Sequence, residues 1–173
     1  MFNRLEDFRT TWKEEVEDTL KVLRAIPDQA LEQSVAPGYR DLRRLAWHLV
    51  GGIGTLAAQV GLCIGGPARD EQGEVVAPPP QHMAAIVEAY TRSAESLLQA
   101  LASWEDADLE KVEVVFGHLH WRRGQILLAV LVHQVHHRGQ MTVLMRQAGI
   151  LVPEFYGPTR EGWEAMGLSA PAV

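Results

Sequence analysis

Ile126, Val130, His133, His137, Met141 and Leu144 recur at three- and four-residue steps between residues 122 and 147, the spacing of one face of an α-helix. A stripe of this kind faces a core, and two of its six members are histidines. The segment is predicted to be helical from about Arg122 to Gln147, with Gly149 and Pro153 as its stop signals.

Three further stretches carry the same periodicity. Leu5, Phe8, Trp12, Val16, Leu20 and Leu23 predict a helix over Phe2 to Ile26, closed by Pro27. After a loop containing Pro37-Gly38, Asp41 is placed to cap a second helix from about Leu42 to Ile64, with Leu45, Leu49, Leu56 and Val60 on its apolar face and His48 beside them. Ile86, Val87, Tyr90, Ala94, Leu97, Leu98 and Leu101 mark a third helix over Gln81 to Ser103.

The connections are less regular. Gly65 to Pro80 has no periodicity and ends in three prolines, as a lid, a partner surface or a tolerated insertion would. VEVVFGHLHW, within residues 104 to 121, has the β-branched and aromatic content of a strand without an evident pairing partner, so an extended crossover is expected. The tail is turn-rich, with one short helical turn expected around Arg160 to Met166. These elements predict an all-α chain, a four-helix bundle with a long crossover connection and an irregular C-terminal tail. With 173 residues and 47% hydrophobic content, a single domain over 1–173 is expected.

Lys and Arg number 16 against 22 Asp and Glu, so a net charge of -6 provides no basic field for a nucleic-acid backbone. The balance is uneven, because residues 114 to 153 hold Arg122, Arg123, Arg138 and Arg146 with five histidines and no acid. A site built there would be locally positive and suit an anion; alternatively, an acidic first helix simply balances a basic later one. The lone Cys63 rules out an intramolecular disulfide framework, fits a reducing compartment and is expected to pack as a small apolar residue. No signal-peptide layout and no apolar run of roughly 18 to 20 residues is present, so no membrane span is expected and the cytoplasm is the default location.

His133 and His137 lie four apart, about 40° around a helix and about 6 Å along it, which brings two imidazoles to chelating distance. Such a pair alone also suits hydrogen-bonded core histidines, and a metal site needs a third ligand from another helix. His48, on the inner half of the second helix, is the candidate. His136 is rotated by about 100° and should point elsewhere. His118 and His120 form a competing pair, read as exposed or supporting residues, and His82 as solvated. Cys63, about 22 Å along the helix from His48, is out of reach of the same ion. Arg138 and Gln140 are read as orienting a ligand or tying helices together, and Gly139 as permitting close helix approach. Tyr156 could bond near the site or anchor the tail, and Trp47 and Trp121 read first as core or interface residues.

RDLRRLAWHLV at 40–50, VHQVHHRGQMTVLMRQAG at 132–149 and YGP at 156–158 resemble the DinB/YfiT-like metalloprotein superfamily, in order and over essentially the whole chain. The resemblance implies a four-helix bundle with an unusual long crossover, one metal on three histidines at the positions of His48, His133 and His137, and a homodimer. It also implies thiol-dependent chemistry, since some relatives transfer bacillithiol to electrophiles or use mycothiol for isomerisation. The family name, taken from damage-inducible genes, does not imply DNA binding.

Three neutral histidines leave the charge of a divalent ion uncompensated and a position open; zinc is the expected ion and nickel the alternative. A small-molecule thiol bound there would become a nucleophile toward an electrophilic substrate, as in an S-transferase. A hydrolase using metal-bound hydroxide is the alternative, weakened because Gln134 follows His133 where HExxH enzymes carry a Glu base. A non-catalytic, metal-stabilised binding or dimerisation module is the third possibility, so whether the chain is an enzyme stays open at this point, and no catalytic residue is named.

Overall fold

The computed structural model describes residues 2–70 and 75–172. It is mostly helical: α1 (Leu5–Ala25), α2 (Leu42–Ala58), α3 (Met83–Ala100), a hairpin of β1 (Val112–Val115) and β2 (Leu119–Arg122), α4 (Arg123–Gln147) and a short α5 (Arg160–Ala165). Short 3-10 turns occupy Asp28–Ala30, Leu101–Ser103 and Asp106–Glu110. α4 packs against α2 and α1, and α3 against the same two helices from the other side.

The helix boundaries follow from their caps. The Asp41 carboxylate accepts from the Arg44 backbone N–H at 2.7 Å, as expected for the start of α2. α1 is started from a distance, its Leu5 N–H donating to Asp106 at 2.8 Å, and the Met83 N–H of α3 donates likewise to Asp28 at 2.8 Å. α4 ends in a Schellman motif: Gly149 adopts φ 71°, and Ile150 N–H reaches back to Met145 C=O at 2.9 Å.

The same motif shortens α2. Gly61 adopts φ 74° and Leu62 N–H bonds Ala57 C=O at 3.1 Å, so the helix stops at Ala58 instead of continuing to Ile64. Cys63 therefore lies beyond the helix and is exposed, correcting its expected burial.

The all-α expectation also needs amending. The residues read as an unpaired crossover split at Phe116-Gly117 into two strands that pair antiparallel with each other, Val112 opposite Arg122 and Val115 opposite Leu119. Both Phe116 (φ 51°) and Gly117 (φ 75°) are left-handed, and His118 N–H closes the turn on Val115 C=O at 3.3 Å. The tail contains the expected short helix, as α5.

The core lies between the four long helices. Phe8, Trp12 and Leu23 of α1, Leu42, Leu49 and Ile53 of α2, Ile86, Tyr90 and Leu97 of α3, and Ile126, Val130 and Met141 of α4 are all fully buried. Arg138 is buried among them, donating to Glu15 Oε2 at 2.5 Å and to Thr19 Oγ1 at 3.1 Å and bonding Tyr156. Tyr156 in turn donates to Glu15, so this network ties α4 and the tail to α1. Arg138 and Tyr156 hold the fold together on that side. Gly139, expected to admit a neighbouring helix, faces open space, since an added Cβ would meet nothing within 4 Å.

The connection between α2 and α3 is strapped along α2. Arg69 donates to Gly51 C=O and Thr55 Oγ1, both at 2.6 Å, and Trp47 Nε1–H donates to Ala77 C=O at 2.8 Å. Residues 71–74, part of the segment expected to be a lid or partner surface, lie outside the described residues. Among the described residues, no helix is long and apolar enough to cross a membrane.

Candidate metal centre

α2 supplies His48 and α4 supplies His133 and His137, one turn apart. The three rings converge, with centroids 4.8 Å apart for His48 and His133 and 4.5 Å apart for each of the other two pairs. One donor nitrogen from each ring can be chosen so that all lie within 4.8 Å of one another. The Nε2 atoms of His48 and His133 are 3.1 Å apart, close to the roughly 3.3 Å edge of a tetrahedron with metal–nitrogen bonds of about 2.0 Å.

A glycine makes this convergence possible. A Cβ at Gly52 would lie 2.7 Å from His133 Nδ1 and 3.1 Å from its Nε2, so only hydrogen at that α2 position leaves room for the ring. Nothing in the sequence marks Gly52 apart from its neighbours Gly51 and Gly54, and its role appears only when α4 is laid across α2. Gly51 and Gly54 make space on another side, under Val75 and Arg69 of the strap.

The ring orientations are partly fixed by neighbours. His137 Nδ1 is 2.7 Å from Gln140 Oε1; an amide oxygen only accepts, so Nδ1 carries the proton and Nε2 keeps its lone pair for the site. His133 Nδ1 is buried without a hydrogen-bond partner while its Nε2 faces His48. A cation at the meeting point of the lone pairs would bind Nε2 and keep the proton on Nδ1, and three imidazoles are a donor set that suits zinc, nickel, copper or iron. On these grounds the residues fit one divalent ion.

Electrostatics keeps all three rings neutral. Burial lowers the His48 pKa to about 4, with the nearby Arg40 and His137 charges adding to the effect. His133 is lowered to about 3, first by burial and then by its histidine neighbours. Burial also lowers His137, against the opposing hydrogen bond to Gln140. Neutral imidazole is the form that ligates.

The other histidines stand outside this group, although the His136 ring lies edge-on to His137 with centroids 4.8 Å apart. His136, His118 and His120 are exposed, and His82 is exposed against Asp28 with Nδ1 2.9 Å from the carboxylate. Gln134 is buried and donates to Leu49 C=O at 3.3 Å, away from a base's position. Two cavities flank the centre, one of about 480 Å³ reaching His48 and His133 and one of about 550 Å³ reaching His137. Phe116, at the hairpin tip, lines the first; its N–H is held by Gln59 Oε1 at 2.6 Å. Reading the hairpin as a crossover hid this residue.

Comparison with known proteins places the chain in a family. The uncharacterized protein YrdA of Bacillus subtilis (strain 168) is 37% identical over 174 residues, covering all of both chains. A DinB-like protein from Bacillus cereus ATCC 10987 superposes with a TM-score of 0.82 at 36% identity, over 90% of this chain and all of that one. A candidate member of the DinB family from Exiguobacterium sibiricum 255-15, 16% identical, shares the fold alone, with a TM-score of 0.65 over 87% of this chain and 95% of that one. The DinB family model matches residues 1–170, and the chain belongs to the DinB family.

Proposed function

We propose that His48, His133 and His137 hold one divalent metal ion, zinc or alternatively nickel, and that the protein is a thiol-dependent S-transferase-type enzyme. The observation that carries this reading is the donor set: three neutral imidazoles converge beside open cavity space, with no carboxylate in the group. A divalent ion held there supplies a positive charge that favours the deprotonated form of a small thiol at neutral pH.

The chain's own groups do the rest. Gln140 holds the His137 proton on Nδ1, fixing which nitrogen points inward. Trp47 and Phe116 wall the cavity beside His48 and His133. The thiol gives its proton to solvent, its sulfur forms a bond to the electrophilic carbon of the second substrate, and the leaving group departs with the electron pair of the broken bond. A hydrolase would need a base, and Gln134, bonded to the α2 backbone, offers none.

The four long helices are read as the DinB-type four-helix bundle, with the strap and the hairpin as its long connections. A homodimer is part of the proposal. α4 is apolar on its outer side as well, where Leu128, Val132 and Val135 are exposed, and a second copy would cover them.

The test is to load wild type and His137→Ala with metal and supply a panel of low-molecular-weight thiols with an electrophilic acceptor. Thiol consumption that depends on metal and disappears in His137→Ala is the expected result. No turnover with any thiol, together with a large metal-dependent rise in melting temperature, would replace the transferase with a structural role for the ion.

A further inference from the structure

The two cavities beside the histidines differ in character, and Arg40 borders both. The one at His137 is mainly aliphatic, walled by Val35, Leu45, Val143 and Leu144. The one at His48 and His133 carries a second arginine, Arg44. Arg44 and His48 are four residues apart on α2, so they share a helix face and are separated by about 6 Å along the axis.

Neighbouring arginines are committed to the fold. Arg43 donates to Gln81 Oε1 at 2.7 Å, and Arg69 holds the strap through Gly51 and Thr55. Among the described residues, the side chains of Arg40 and Arg44 make no hydrogen bond or ion pair, while both line the cavity that ends on the metal-ligand candidates. Asp41, the carboxylate between them in sequence, is engaged in capping α2. Two uncommitted guanidinium groups at one mouth of a cavity, each a planar fork of donors, match an anionic oxygen group.

We propose that Arg40 and Arg44 form an anion-recognition subsite, and that the thiol substrate carries a carboxylate or phosphate which they hold while its sulfur reaches the three histidines. The proposal rests on the thiol-dependent reading above. Arg44 and His48 line the same cavity one helical turn apart, so a small thiol that also carries an anionic group can engage both ends of it. The aliphatic cavity on the other side of Arg40 is then left for the less polar electrophile.

The test uses calorimetric titration of the metal-loaded protein with 3-mercaptopropionate, 2-mercaptoethanol and cysteamine, which share a thiol and differ in charge. Succinate and inorganic phosphate, which lack sulfur, are run in parallel to tell the two anion chemistries apart. Wild type should bind 3-mercaptopropionate roughly tenfold more tightly than 2-mercaptoethanol, with cysteamine weakest, the scale of one solvent-accessible charged hydrogen-bonded contact. In the Arg40→Gln/Arg44→Gln double variant the preference should fall to about one, with the melting temperature and the affinity for 2-mercaptoethanol unchanged.

Equal affinity for charged and neutral thiols in wild type, or a preference that survives in the double variant, overturns the subsite and leaves the thiol reading standing. Arginine-dependent binding of succinate or phosphate with no binding of any thiol does the reverse. Binding of none of the five probes overturns both.

Discussion

Replacing Gly52 by alanine separates the geometry of the metal centre from the stability of the fold. In an exposed helix interior this substitution stabilises by about 1 kcal/mol, because it removes backbone freedom from the unfolded chain. Here the new Cβ would press hardest on His133 Cε1 and stand 2.7 Å from its Nδ1, against an ordinary contact of about 3.5 Å, so the ring must retreat by more than about 0.8 Å or rotate away. Metal–ligand distances tolerate about 0.2 Å. Displacement of several times that amount removes His133 as an effective ligand, and metal affinity should fall by at least the roughly 10–100-fold that loss of an orienting partner costs. Overpacking of about 1–3 kcal/mol offsets the helix gain, leaving the metal-free protein within about 2 kcal/mol of wild type. Gly139→Ala is the matched control: it lies in α4, meets nothing within 4 Å, and should leave affinity unchanged while raising stability by up to about 1 kcal/mol. Affinity is measured by competition with a chromophoric chelator, and stability by urea denaturation with a chelator present. Wild-type affinity in Gly52→Ala would refute the claim that this glycine makes room for a ligand.

Three other outcomes are expected. Gln140→Leu removes the acceptor that holds the His137 proton on Nδ1 and should weaken metal binding by roughly 10–100-fold, with little loss of stability because Gln140 is exposed; the same competition assay checks it. The metal-free protein should lose stability as pH falls. The folded pKa values of His48 (about 4) and His133 (about 3) lie below the unfolded value near 6.5, so below that pH the unfolded chain binds more protons and is favoured. The stability is present above about pH 6.5 and declines toward pH 4, by on the order of a few kcal/mol in urea denaturation with chelator; a flat profile over that window would contradict the buried neutral state. Val132→Glu, on the exposed apolar side of α4, should convert a dimer to monomer in sedimentation equilibrium without lowering the melting temperature of the monomer.

What could be read from the sequence depended on whether a residue's role is set along its own helix or across the fold. His133 and His137 are legible because their relation is internal to α4, and His48 because its place on α2 follows from the apolar residues around it. Gly52 and Gly139 show the opposite case. Both are glycines in helix interiors, where either could admit a neighbour, and only the packing of α4 on α2 separates the one beneath His133 from the one facing open space. The hairpin was obscured because Phe116 adopts a left-handed conformation that sequence rules reserve for glycine, asparagine or aspartate, so its two strands read as one.

Charge shows the same division. Residues 114–153 carry arginines and no acid, which suggests that the positive character of the site comes from that segment. Each of those arginines instead has a partner from outside the segment or from its acidic margins: Arg122 with Glu110, Arg123 with Glu113, Arg138 with Glu15 and Arg146 with Glu161. The arginines left facing the histidines are Arg40, just before α2, and Arg44, in its first turn, a region the composition did not single out. A count of charges along the chain reports an excess, but an excess acts on a ligand only where the fold leaves it unpaired. At this site that condition is met around the start of α2, beside His48, and the anion preference of the thiol series measures it directly.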